Sequence, residues 1–218
     1  MNISDYSPDI HKHILACWGA ASAASQARHF KFSVEQGKQL LLMAENGKYS
    51  SRNSFILFIK EVENCTSQRE FDQWHRRAIE NMRTGGDLDN VFEKINAEKC
   101  KNQRKQLEKK HYSYGIASKL LNCYLKIFHL SSFGRCQYGQ YIHPPIDAIL
   151  LRTLYKKEPD SFTFRFKATS MYHDGSIPKW TALDEQDYSV VIDKIQKFIK
   201  EKDIDGLWKI EFAWTGHQ

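Results

Sequence analysis

The sequence predicts a mostly α-helical fold, and three observations predict it. Apolar residues recur at the 3.6-residue spacing of a helix along most of the chain. Start and stop signals bracket these segments, with Ser, Thr, Asp or Pro before them and Gly after. Only Phe162-Thr-Phe-Arg-Phe-Lys167 alternates, so at most a short β segment is expected, as a strand or an extended packing segment.

Residues 9–27 carry Ile10, Ile14, Cys17, Trp18 and Ala21 at helical spacing, behind the start signal Ser7-Pro8-Asp9. Residues 33–46 form a second helix, with Ser33 and Gln36 placed for a capping box and Asn46-Gly47 as the stop. A third spans 52–63 through Phe55, Ile56, Phe58, Ile59 and Val62. A fourth runs from a Thr66 or Ser67 cap to about Arg83, ending at Thr84-Gly85-Gly86. Residues 87–110 continue as a polar helix that turns basic, with Lys99, Lys101, Arg104, Lys105, Lys109 and Lys110 within twelve positions.

The most apolar helix is 114–130, through Ile116, Leu120, Leu121, Cys123, Tyr124, Ile127, Phe128 and Leu130. A loop over 131–143 follows. Pro144-Pro145 then opens a helix over 146–156, since first-turn amides have no helical partner for a proline to remove. Two further helices are expected at about 184–201 and 205–213. Residues 1–218 read as one helical domain, divisible into lobes 1–84 plus 157–218 and 85–156.

A chain of 218 residues can bury roughly 70% of its unfolded surface and needs no disulfide or metal staple. The five cysteines are scattered and include no C-x-x-C pair, which fits a reducing cytosol and no metal site. His11 and His13 lie two apart, on different sides of their helix, so they do not suggest a metal either. The N-terminus has no basic stretch followed by an apolar run, and no segment approaches the roughly 20 apolar residues of a membrane span. A soluble cytoplasmic protein is expected. Its net charge of +6, from 32 Lys plus Arg against 26 Asp plus Glu, suits an acidic partner such as nucleic acid, although a solvated basic surface has the same composition.

The chemistry-bearing residues lie in Ser113-Tyr-Gly-Ile-Ala-Ser-Lys-Leu-Leu-Asn122 and His143-Pro-Pro-Ile-Asp147-Ala-Ile-Leu-Leu-Arg152. A lysine on a predominantly apolar helix is unusual, and Lys119 and Lys126 lie seven apart on nearly the same face. An ammonium held against apolar surroundings loses hydration, which makes its amine available as a nucleophile; a lysine that snorkels to water has the same sequence signature. Asp147 opens the following helix, where an aspartate gains from the helix dipole and caps amides. Together the two place an amine and a carboxylate at the mouth between two helices. His143, just before Pro144, can contact phosphate or base, or simply bond the backbone.

This segment resembles the helix–hairpin–helix DNA glycosylases, which pair Gly-x-Gly-x-Lys-x-x-Asn with a downstream hydrophobic–aspartate step and an arginine. Gly115, Lys119 and Asn122 match the first part, and Ile146, Asp147 and Arg152 the second. The long interval from Lys119 to Asp147 is most similar to the archaeal 8-oxoguanine glycosylases. Two positions depart from the pattern: Ala117 replaces the second glycine and Tyr114 stands where proline is common. No cysteine follows Cys136, so the iron–sulfur cluster of the endonuclease III branch is not implied.

The resemblance implies a helix–hairpin–helix-like element and a bifunctional glycosylase and abasic-site lyase that needs no cofactor. A flipped nucleotide of duplex DNA would meet Lys119 as nucleophile and Asp147 as its assistant. Gly115, Ala117, Ser118, Lys105, Lys109, Lys110 and His143 are the expected DNA contacts. Trp18, Trp74, Trp180, Trp208 and Trp214 are the candidate aromatic walls of a base pocket whose lining stays open. A monomer is expected, nucleoid-associated if bacterial, acting on 8-oxoguanine or on a modified base such as those of phage DNA, in repair or antiviral defence. Two readings stand beside it: a non-catalytic DNA-binding module using the basic 99–110 helix, and a helical toxin or interaction protein in which Lys119 and Asp147 form a buried ion pair.

Overall fold

Short polar side chains start the helices where the sequence places them. Ser7 Oγ accepts from the amide of Ile10 ahead of Pro8, Ser33 and Gln36 cap each other reciprocally, and Ser51, Ser67, Ser113 and Asp184 each take an amide of the first turn. The computed structural model describes residues 7–25, 30–48, 50–100, 108–130, 137–172 and 175–213. Within them run α1 (Pro8–Ala24), α2 (Val34–Leu41), α3 (Arg52–Lys60), α4 (Gln68–Thr84), α5 (Leu88–Cys100), α6 (Tyr114–Leu125), α7 (Ala148–Lys157), α8 (Pro159–Phe162) and α9 (Glu185–Glu201). Short 3-10 turns join several of them, and a last one, Leu207–Ala213, follows α9.

The fold is built around α6. All twelve of its residues are buried, so apart from Ser118, Lys119 and Asn122 its side chains are apolar or aromatic on every face. Helix α1 lies along it, and α2, α4 and α9 pack on it too. The buried face of α1 consists largely of Ala16, Ala20, Ala21 and Ala24, small side chains that allow a close approach. A single buried apolar cluster runs from Ala16 to Ile210, so the elements of the two expected lobes share one core.

Several boundaries differ from the sequence expectation for physical reasons. Helix α2 stops at Leu41 because the amides of Met43 and Ala44 switch to carbonyls three residues back, tightening the turn that Gly47 closes at φ +74. Helix α5 is described to Cys100, and Lys109–His111 form a 3-10 turn where the sequence predicts the end of a basic helix; Lys101, Arg104 and Lys105 lie outside the described residues. Helix α6 passes into a π turn over Lys126–Leu130. Pro144-Pro145 does not open α7: the two prolines form an extended link, and Asp147 is the N-cap two residues later than expected. After Phe162 ends α8, residues 163–167 belong to no helix or strand. Phe162 and Phe164 point into the core while Thr163 and Arg165 face solvent, so the alternation is a packing pattern. The β structure among the described residues is an isolated bridge between Met171 and Pro178.

Candidate active site

Lys119 sits mid-way along α6 and is 6% exposed. Its Nζ donates to Asp147 Oδ2 at 3.3 Å and lies 4.5 Å from the centre of the Trp180 ring. A cation against an aromatic face gains electrostatically from the ring quadrupole. Asp147 divides its two oxygens between two tasks. Oδ1 accepts from the amides of Ile149 and Leu150 at 2.9 and 2.8 Å, capping α7, which leaves Oδ2 for the lysine.

Gly115 makes the third side of this arrangement. A Cβ at this position would fall 1.9 Å from the carbonyl oxygen of Trp180, so only glycine lets the 180–182 turn pass this close to α6. The Gly115 amide donates to the carbonyl of Leu183 at 3.1 Å and pins that turn in place. Sequence reading flags Gly115 as a hairpin glycine; the structure gives it the task of bringing Trp180 over Lys119.

A second ion pair shares this face of α6. Lys126, at the start of the π turn, pairs with Glu211 of the Leu207–Ala213 turn. Glu211 Oε1 is buried and meets no hydrogen-bond partner among the described residues. Burial pushes the Glu211 carboxyl up, Lys126 opposes that shift, and the charge of Asp147 adds to it. Cys123, one turn from Lys119 on the same row, feels the charges of Lys119, Glu211, Lys126 and Asp147. Burial pushes its thiol up to about 12, so it stays protonated and is no nucleophile at neutral pH. The signal for Lys126 was its spacing from Lys119. Glu211 carried none, because its place is set by tertiary packing alone.

The expected DNA contacts fare differently. Ala117 and Ser118 are 0% exposed, and Ser118 Oγ donates to the carbonyl of Tyr114. The amides of Gly115 and Ile116 are already bonded, to the Leu183 carbonyl and to Ser113 Oγ. In this conformation the α6 N-terminus therefore offers neither amide to a phosphate. His143 is 3% exposed and bonds Asp72 and Tyr188 inside the protein. Lys109 and Lys110 are at the surface, paired with Asp89 and Glu108.

Of the candidate aromatic walls, Trp180 alone is placed against Lys119 by a described contact. Trp74 is buried against Phe58 at 5.0 Å, Trp208 lies beside Lys209, and Trp18 is 62% exposed. Trp214 lies outside the described residues. Among the described residues no helix is long and apolar enough to cross a membrane, and no group of three or more His, Cys, Asp or Glu side chains is placed to hold a metal ion. Comparison of the chain with family models, with curated proteins and with solved structures gives no match.

Proposed function

We propose that the chain is a DNA N-glycosylase with abasic-site lyase activity, in which Lys119 is the nucleophile and Asp147 its partner. The observation that carries this reading is the buried Lys119–Asp147 contact of 3.3 Å, made by the one Asp147 oxygen that does not cap α7. Once Nζ has given a proton to Asp147, its lone pair bonds to sugar C1′ as the C1′–N bond breaks, and the base leaves with the electrons of that broken bond and takes up a proton. Asp147 Oδ2 takes the proton that Nζ sheds and stabilises positive charge on the sugar. Opening of the C1′–O4′ bond, with O4′ taking up the proton that the adduct nitrogen loses, gives an imine that permits strand cleavage by β-elimination. Trp180 supplies a flat apolar face beside the amine, and Glu211 Oε1 a buried polar atom that a base edge can satisfy.

The partner is duplex DNA bearing a damaged or modified base, met by a monomer, and the net charge of +6 supports attraction to it. A second reading, a structural ion pair, is favoured by the near-complete burial of both partners and by the sufficiency of Asp147 as a cap. Borohydride trapping separates the two. The protein is incubated with duplexes containing an abasic site, 8-oxoguanine, uracil or a modified cytosine, beside Lys119→Gln and Lys126→Gln. A covalent adduct that survives Lys126→Gln and disappears in Lys119→Gln is the expected result. No adduct on any duplex, together with a sharp loss of stability in Lys119→Gln, establishes the structural pair instead.

A further inference from the structure

A buried chain of polar side chains adjoins the Lys119–Asp147 pair, and nothing in the proposed chemistry uses it directly. Asn122, one turn beyond Lys119 on α6, is 0% exposed. Its Nδ2 donates to the Pro144 carbonyl at 3.1 Å and to Tyr188 Oη of α9 at 2.9 Å. Its Oδ1 accepts from His75 Nε2 of α4 at 2.8 Å. Tyr188 Oη lies 3.1 Å from His143 Nδ1, and His143 Nε2 lies 2.9 Å from Asp72 Oδ1, which Gln68 also reaches at 2.8 Å.

The donors and acceptors of this chain fit one assignment. Asp72 only accepts, so His143 carries its proton on Nε2 and accepts at Nδ1. Tyr188 therefore donates to His143, and its oxygen is free to accept from Asn122. Burial lowers His75 to about 3, which keeps that ring neutral with one N–H, the one Asn122 Oδ1 receives. Each member thus fixes the rotamer of the next.

The end of the chain that matters is Pro144. It stands three residues before Asp147, and Pro144-Pro145 is a stiff link because each ring fixes its own φ. A hydrogen bond that locates the Pro144 carbonyl relative to α6 therefore also locates Asp147 relative to Lys119. We propose that this network is a positioning device: Tyr188 and His143 hold Asn122, Asn122 holds Pro144, and the Asp147 carboxylate is thereby set against the Lys119 amine. The proposal rests on the glycosylase reading of the site, and Tyr188 is its positioning residue. Tyr188→Phe removes one oxygen and keeps the ring against His75 and Tyr114, whose centres lie 5.8 and 5.3 Å away.

The test is single-turnover borohydride trapping on an abasic duplex, with Kd for the same duplex measured separately. At saturating protein, Tyr188→Phe is expected to trap at least about tenfold more slowly with Kd held within about twofold, since misplacement of a reacting group by an ångström costs on the order of a hundredfold. A packing role alone lowers Tm and leaves the saturated rate intact, and that result overturns the proposal. Asp72→Asn, at the more exposed end of the network, is expected to slow trapping several-fold. The double variant should be no slower than Tyr188→Phe alone, because members of one unit do not add. If Tyr188→Phe fails to fold, an unchanged saturated rate in Asp72→Asn overturns the proposal by itself. A wild-type adduct that Tyr188→Phe forms equally fast sinks the positioning role and leaves the glycosylase; no wild-type adduct sinks the glycosylase and the positioning role with it.

Discussion

A single hydrogen atom at position 115 decides where Trp180 lies. Because the obstacle to a larger side chain is the Trp180 backbone, it cannot rotate out of the way as a side chain could. Gly115→Ala is expected to cost about 1–3 kcal/mol by overpacking and to push the indole off Lys119. Urea denaturation measures the first effect, and a slower adduct at saturating DNA reports the second; a variant of unchanged stability contradicts this role. Glu211 offers the other test at this scale. If its buried oxygen reads the base, Glu211→Gln slows excision of a modified base more than it slows trapping at an abasic site, where no base remains to be read. Equal losses on both substrates count against that role. Position 115 was legible as a special glycine, but for a different reason, since a one-dimensional pattern cannot name the backbone that approaches from residue 180. Glu211 was not legible at all, for the same reason.

At the scale of the element, helix α7 and the ion pair share one aspartate, and that sharing makes the pair asymmetric. Removing the lysine leaves Asp147 with two amide donors and the positive end of a helix, a charge still well compensated. Removing the aspartate uncaps α7, at about 1 kcal/mol, and leaves the buried ammonium against the Trp180 face without its carboxylate. Breaking a buried pair costs about 3–5 kcal/mol when the remaining charge goes uncompensated. Asp147→Ala should therefore destabilise more than Lys119→Gln, by about 1 kcal/mol or more in chemical denaturation. Equal costs mean that the cap and the pair are not coupled. Most helices were legible because a cap and a period agree, as at Ser33-Gln36 and at Ser67. The failures occurred where one of the two was missing. Residues 42–46, Leu-Met-Ala-Glu-Asn, are too few to show a helical stripe, and nothing in the basic run before α6 marks Lys109–His111 as a separate turn.

At the scale of the whole molecule, the central helix recruits polar groups from every side, and burial then sets their protonation. His13, His75 and His129 are each nearly inaccessible. Burial first, and then the charges of Lys38 and Arg52, lower His13 to about 4; burial likewise brings His129 to about 4, with Lys12 and Lys60 adding to it. His75 falls to about 3, for the reason given above. In the unfolded chain each ring titrates near 6.5, so between that pH and the folded value the unfolded state holds the extra proton. Stability from these three groups is fully present above about pH 6.5 and is lost as pH falls toward 4. Each contributes a slope of up to about 1.4 kcal/mol per pH unit. Glu211 and Asp187 act in the opposite sense, because their folded pKa values are raised by burial, but they are two groups against three. Urea midpoints measured from pH 7.5 to 4.5 should therefore stay level to about pH 6.5 and then fall, with net uptake of more than one proton on unfolding. His13→Gln should reduce that uptake by close to one proton. A midpoint that holds steady down to pH 5 would mean that these rings are charged in the folded protein, and the polar network around α6 would then need a different set of donors.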